Sequence, residues 1–270
     1  MIKHVLVVAA VTLPAVGARA ADLPLARKAP AMTSSLFTWT GFYGGINAGF
    51  KFSGNDDVHT EGQAAPNIAN IAGGARPGFV ALNRNGFIGG IQAGYNYEVG
   101  QYGQFGPLSR LVLGIETDIS YTDFRDSTTV TTAQLGTGAP LSNSFSSRLN
   151  YLGTVRGRLG IANDRALFYA TGGLAYGESE HHINMFGATG NLQFAGDSSK
   201  VKTGFAVGAG VEYALTYNVL LKGEYLFYDL GKDTVNVAVL PGSGGAGTGY
   251  NSRYDDNGHI IRVGMNYKFD

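Results

Sequence analysis

Cysteine is absent from all 270 residues, so the fold needs no disulfide, although that alone assigns no compartment. Charge is scarce as well. Asp, Glu, Lys and Arg make up 15 % of the chain, in equal numbers of each sign. No basic excess is left to attract nucleic acid. Beyond the N-terminus no run is long and apolar enough for a spanning helix, which needs about 20 residues. Phosphate-cradling loops are missing too: Gly44-Gly45 and Gly208-Ala209-Gly210 lack the full G-x-G-x-x-G or P-loop spacing. These glycines read instead as room for strand curvature and bulky neighbours.

What is present favours strands: 41 Gly, 15 Tyr and 15 Phe in a chain poor in charge. The N-terminus has a different character. Met1 to His4 is a short basic start, residues 5–16 are apolar, and Ala18-Arg19-Ala20 forms an A-x-A site before Ala21. Residues 1–20 are therefore expected to be an export signal. Residues 21–38, with Pro24, Pro30 and Arg27-Lys28, have no periodicity and read as a periplasmic lead-in without a site.

The last stretch, residues 259–269, alternates two chemistries. Ile261, Val263, Met265, Tyr267 and Phe269 share one face, and Arg262, Gly264, Asn266 and Lys268 the other. Such a strand separates an apolar medium from a polar one. Lipid outside and a lumen inside fit, provided that the strand closes a ring and leaves no unpaired edge in the bilayer. The same division recurs at 39–52, 86–98, 111–122, 148–161, 166–177, 203–213 and 219–228. The run 219–228 is the least regular, because Leu220 and Leu226 share a face with Lys222 and Glu224.

The reading is an all-β, eight-stranded antiparallel up-and-down transmembrane β-barrel spanning 39–270. Its connections sort by parity. Those at 99–110, 163–165 and 214–218 are shorter, whereas 53–85, 123–147, 178–202 and 229–258 are long. Short turns belong on the periplasmic side and long loops outside, which would put both termini in the periplasm. Rich in Gly, Asn, Ser, Thr and Asp, the long loops are expected to be mobile and solvated.

The segments WTGFYGGINAGF (39–50), GGIQAGYNYE (89–98), LGIETDISY (113–121), LGTVRGRLG (152–160), YATGGLAYG (169–177), VGAGVEYAL (207–215), KGEYLFYDLG (222–231) and RVGMNYKF (262–269) cover all eight proposed strands. Through them the chain resembles the outer-membrane immunogenic protein family of alphaproteobacteria, related to opacity-type and OmpA-like barrels. The resemblance implies a Gram-negative outer membrane, contact with its lipid and lipopolysaccharide, and insertion by the barrel-assembly machinery through the C-terminal strand. One departure is Asp270, which follows the terminal aromatic Phe269.

Within the lumen, Glu116 and Asp118 lie two apart on one strand face, with Arg156 and Arg158 on the next strand. Glu212, Lys222, Glu224 and Arg262 read as further members of one interior charge network, since eight strands leave a lumen that side chains fill. A filled lumen argues against a wide pore. His181 and His182 point apart on an extended chain and make a poor metal site, so a solvated loop is expected; the resemblance alone leaves haem or metal contact open. His59 and His259 read as isolated. No His is followed two positions later by Ser, as deacylases of lipid A would require, so no enzyme, catalytic residue, cofactor or metal is expected. The expected role is structural: anchoring in the outer membrane and presenting four surface loops. A narrow porin and loop-mediated binding, as in adhesion or haem contact, are the alternatives.

Overall fold

Residues 43–52 pair antiparallel with residues 259–268, Tyr43 opposite Lys268 and Phe52 opposite His259. The first and last strands thus close a ring. The structure, a computed structural model, describes residues 37–52, 56–101 and 109–269. The expected export signal, the lead-in up to residue 36 and Asp270 lie outside the described residues. The strands are β1 (Gly41–Phe52), β2 (Asp57–Gly62), β3 (Phe79–Ala81), β4 (Gly86–Gln101), β5 (Ser109–Ala133), β6 (Pro140–Asn163), β7 (Ala166–Phe186), β8 (Leu192–Ala214), β9 (Val219–Val239) and β10 (Gly249–Lys268), with helix α1 (Ala65–Ala72) after β2. Eight of them form an antiparallel barrel in the order β1-β4-β5-β6-β7-β8-β9-β10-β1. β2 pairs onto the upper half of β10, and β3 onto β2.

Lipid-facing and lumen-facing positions alternate along the ring. Ile261, Val263, Met265, Tyr267 and Phe269 are 50 to 61 % exposed, while Arg262, Asn266 and Lys268 between them are buried. Aromatic side chains rim both edges of this outward apolar band, Phe42, Tyr97 and Phe168 below and Phe52, Phe87 and Tyr121 above. This is where such rings favour the membrane interfaces. At the lower end Asp164 adopts φ 50° in the tight turn between β6 and β7, a conformation that aspartate tolerates.

Two expectations need correction. The long connections are mostly not loops: β5 to β10 run for 25, 24, 21, 23, 21 and 20 residues, against the 9–11 or so that a tilted strand needs to cross a bilayer. Above the membrane they continue as a collar, leaving short tips at 134–139, 187–191 and 240–248, and 53–85 carries β2, α1 and β3. The physical reason is an inversion of pattern. In water the outward face becomes polar (Ser142, Ser144, Ser146) and the inward face largely apolar (Leu141, Phe145, Leu149). The inward phase also flips on two strands. On β6 it changes from odd to even positions across the irregularity at Leu149/Leu152. On β9 it changes from even to odd at Gly231, where φ is 76°.

The second correction concerns residues 37 and 38, read as the end of the aperiodic lead-in. Phe37 is buried, its carbonyl accepts from Arg110 at 2.8 Å, and its ring meets Trp39 edge-on at 5.1 Å. The Trp39 indole donates to the Asp164 carbonyl at 3.2 Å, sealing the lower mouth. The glycines at 208 and 210 make room for close neighbours. A Cβ at Gly208 would run into the Tyr225 carbonyl, and one at Gly210 into the Tyr169 hydroxyl.

Candidate functional site

The barrel interior is layered. At the bottom Phe37, Trp39, Val112, Leu167 and Leu220 form an apolar floor. Above it lies a charged belt, then an apolar layer that includes Ile88, Phe124, Leu152, Leu226 and Ile260. A second charged cluster follows. An apolar cap including Phe145, Ile183, Phe194, Val237 and Tyr250 sits under the tips. The irregular seventh run, β9, is thereby explained: Leu220 belongs to the floor and Leu226 to the apolar layer, with Lys222 and Glu224 in the belt between them.

Glu116, Asp118, Arg156, Arg158, Glu212, Lys222, Glu224 and Arg262 all lie in the belt, each at most 5 % exposed. Arg156 bridges three carboxylates, Glu116 at 2.6 Å, Asp118 at 2.9 Å and Glu224 at 3.2 Å. Arg262 reaches Asp118 at 3.1 Å and Glu224 at 2.5 Å from the opposite wall. Lys222 pairs with Glu116 at 2.6 Å, and Arg158 links Glu116 at 3.3 Å to Glu212 at 2.9 Å. Pairing offsets the desolvation of these groups, and removing one partner would leave another stranded.

The belt also recruits side chains that charge pattern alone does not reveal. The Tyr43 hydroxyl donates to Glu116 at 2.8 Å and that of Tyr169 to Glu224 at 2.8 Å. The Arg158 guanidinium lies 4.0 Å from the Tyr169 ring centroid. Beside the charges, Gln92 bridges Asn47 at 3.2 Å and Asn266 at 2.6 Å. Aromatic residues at inward positions on 39–52 and 166–177 were the available signal for the two tyrosines.

The second cluster was not foreseen. Arg84 binds Asp56 at 2.6 Å and Asp256 at 2.5 Å, Lys51 binds Asp56 at 2.9 Å, and Lys202 binds Asp256 at 2.9 Å. His181 lies inside it, contrary to the expected solvated loop. Its ring is fully buried, stacks on Tyr254 at 4.1 Å, has Nδ1 2.9 Å from Ser147 Oγ, and has Nε2 3.5 Å from Asp256. Burial would raise the Asp256 carboxyl, but the His181 ring and the charges of Arg84 and Lys202 outweigh it and hold the group well below the usual carboxylate range. His182 points outward and meets Asp197 at 2.6 Å. His259 is not isolated: it contacts the Tyr225 hydroxyl at 2.6 Å and the Phe227 ring at 5.0 Å on the outer rim. His59 lies beside Phe79, with ring centroids 5.3 Å apart.

Between Ala195 and Phe205 the β8–β9 backbone pairing is interrupted. Side chains bridge this seam, with Ser198 and Lys200 on Asp233 at 2.7 and 3.0 Å. Among the described residues no group of three or more His, Asp or Glu side chains is placed to hold a metal ion.

Residues 9–269 match the family described as the outer membrane protein β-barrel domain. The chain belongs to this family. Among its relatives, the 31 kDa outer-membrane immunogenic protein of Brucella melitensis biotype 1 is 36 % identical over 281 residues, covering 99 % of this chain and 100 % of that protein. The 22 kDa outer membrane protein of Rhizobium leguminosarum bv. viciae is 28 % identical over 184 residues, 68 % of this chain and 67 % of its own. The crystal structure of the outer membrane protein OprG from Pseudomonas aeruginosa superposes with TM-score 0.50 at 15 % identity, over 85 % of this chain and 96 % of that one, a likeness of fold alone. The protein is thus an outer-membrane β-barrel of the immunogenic type. Both of these relatives are named as outer-membrane proteins.

Proposed function

We propose that this barrel is a structural element of the outer membrane, closed to solutes, which anchors by its apolar band and raises a folded collar outside the cell. The observation that carries the reading is the belt. Four carboxylates and four cations from β5, β6, β8, β9 and β10 meet across the lumen with none more than 5 % exposed. A conducting pore needs wetted interior groups, whereas these are bonded to one another. The outer aromatic rim would meet lipid and lipopolysaccharide headgroups, the terminal strand β10 would be read by the barrel-assembly machinery, and no nucleic acid is involved. No catalysis is assigned to the site.

Both termini face the periplasm in this reading, and the mature chain begins at Ala21 after the A-x-A site. N-terminal sequencing of outer-membrane material should find Ala21; a chain retaining Lys3 would contradict it. In intact cells a Thr189→Cys variant should label with an impermeant maleimide and an Asn163→Cys variant should not, the native chain having no competing thiol. The closed lumen is tested by liposome swelling. Proteoliposomes should swell in small sugars no faster than empty ones, and swelling that falls with solute size would support a narrow porin instead.

A further inference from the structure

The buried cations of the two clusters each pair with a carboxylate, but Arg76 does not. It sits between α1 and β3, is 2 % exposed, and its guanidinium donates to Asn143 Oδ1 at 2.7 Å, the Phe186 carbonyl at 2.9 Å and Gln193 Oε1 at 2.8 Å. These acceptors are all neutral, and among the described residues Arg76 makes no ion pair. A buried cation without a counter-charge is unfavourable unless something supplies one.

The surroundings are built to hold Arg76 rather than to neutralise it. Asn143 Nδ2 donates to the Val130 carbonyl at 3.1 Å and to Thr132 Oγ1 at 3.0 Å, which turns its Oδ1 toward the guanidinium. The Phe194 ring lies beneath, with its centroid 5.6 Å from the Arg76 Cζ. Arg76 lines a cavity of about 180 Å³ under the tips, whose wall also includes Asn70, Gln134, Gln193, Leu141 and Phe194. A lining that combines amides with apolar side chains suits a small ring bearing hydroxyls on its edge.

We propose that this cavity binds a compact hydroxylated carboxylate of about the size of one uronic acid, with its carboxylate against Arg76 and its hydroxyls against the Asn70 and Gln193 amides. The ligand supplies the counter-charge that the chain lacks, and a carboxylate matches the planar guanidinium. The site deepens the reading of the collar as a displayed surface. Binding to purified protein does not depend on which way the collar faces, so failure of one idea leaves the other standing.

The test is isothermal titration of the purified full-length barrel in detergent micelles at low salt with D-galacturonate, D-galactose and inorganic sulfate. Galacturonate should bind saturably at one site, galactose should not bind, and sulfate should bind at least about tenfold more weakly. Arg76→Gln should weaken galacturonate binding by about tenfold or more, and Arg76→Lys by less. Ala246→Trp, which fills the cavity while Arg76 stays in place, should abolish binding while the heat-modifiable gel shift of the folded barrel is kept. No binding by the native protein, equal binding of galactose or sulfate, or undiminished binding by Ala246→Trp would each overturn the proposal. That last variant decides the matter even if Arg76→Gln does not fold.

Discussion

The belt within the membrane and the cluster in the collar use the same chemistry in different surroundings. Both pair arginine and lysine side chains with buried carboxylates, yet the belt is enclosed by lipid at the level of Ile115, Val155 and Val263, whereas the collar strands turn Ser144, Thr234 and Asn251 to water. Water can reach a charge stranded in the collar after a local opening. It reaches one stranded in the belt only if the barrel itself comes apart. The belt should therefore govern global stability and the collar cluster local stability.

The largest expected effect lies in the belt. Arg156→Leu leaves Glu116, Asp118 and Glu224 short of a shared partner and should lower stability by about 3–5 kcal/mol, read by urea unfolding in lipid vesicles. A loss as small as that of a collar variant would erase the distinction. Next comes the outer face. Val207→Arg, in the lipid band, should cost about 2–4 kcal/mol, while Asn236→Arg, outward in the collar, should stay within about 0.5 kcal/mol. Equal folding yields would mean that the boundary between lipid and water has been misplaced.

Smaller again is Arg84→Met, expected to lower stability by about 1–3 kcal/mol because Asp56 and Asp256 can recover water. Its signature is local: faster amide hydrogen exchange over 250–256 with 260–268 unchanged. Acid should give the gentlest loss. Burial raises the carboxyls of Asp256 and Asp233, but neighbours more than compensate: His181, Arg84 and Lys202 for Asp256, Ser198 and Lys200 for Asp233, so both stay below the ordinary value. A depressed carboxyl stabilises the fold above its unfolded pKa, about 3.9, and that contribution fades as pH falls through the depressed native value. Pepsin should therefore nick the collar increasingly as pH drops from about 4 to 2, while the membrane band stays protected; uniform resistance would contradict this.

The contrast also explains what could be read from sequence. Strands 111–122 and 259–269 carry unbroken alternation with apolar residues outward, so the ring and the belt positions on it are legible from residue order. The collar obeys the opposite rule. On β10 the even-numbered positions 250–256 (Tyr250, Ser252, Tyr254, Asp256) face inward in phase with Ile260 and Arg262, but their charges and serines resemble loop composition. On β6 and β9 the phase flips at Leu149/Leu152 and Gly231, close to where the alternation read from sequence stops. His181 keeps the inward phase of β7, but it lies past residue 177, where the alternation read from sequence ends, and Arg84 lies between β3 and β4. Their burial follows from pairings between strands distant in sequence, which one strand's pattern does not encode.

The most direct test of the closed belt is planar-bilayer recording of the native protein beside an Arg156→Ser, Arg158→Ser double variant. The substitutions remove bulk and positive charge while leaving Glu116 and Glu212 in place. The native barrel should be nearly silent and the double variant leaky and cation-selective. A steady, large conductance from the native barrel would contradict the account.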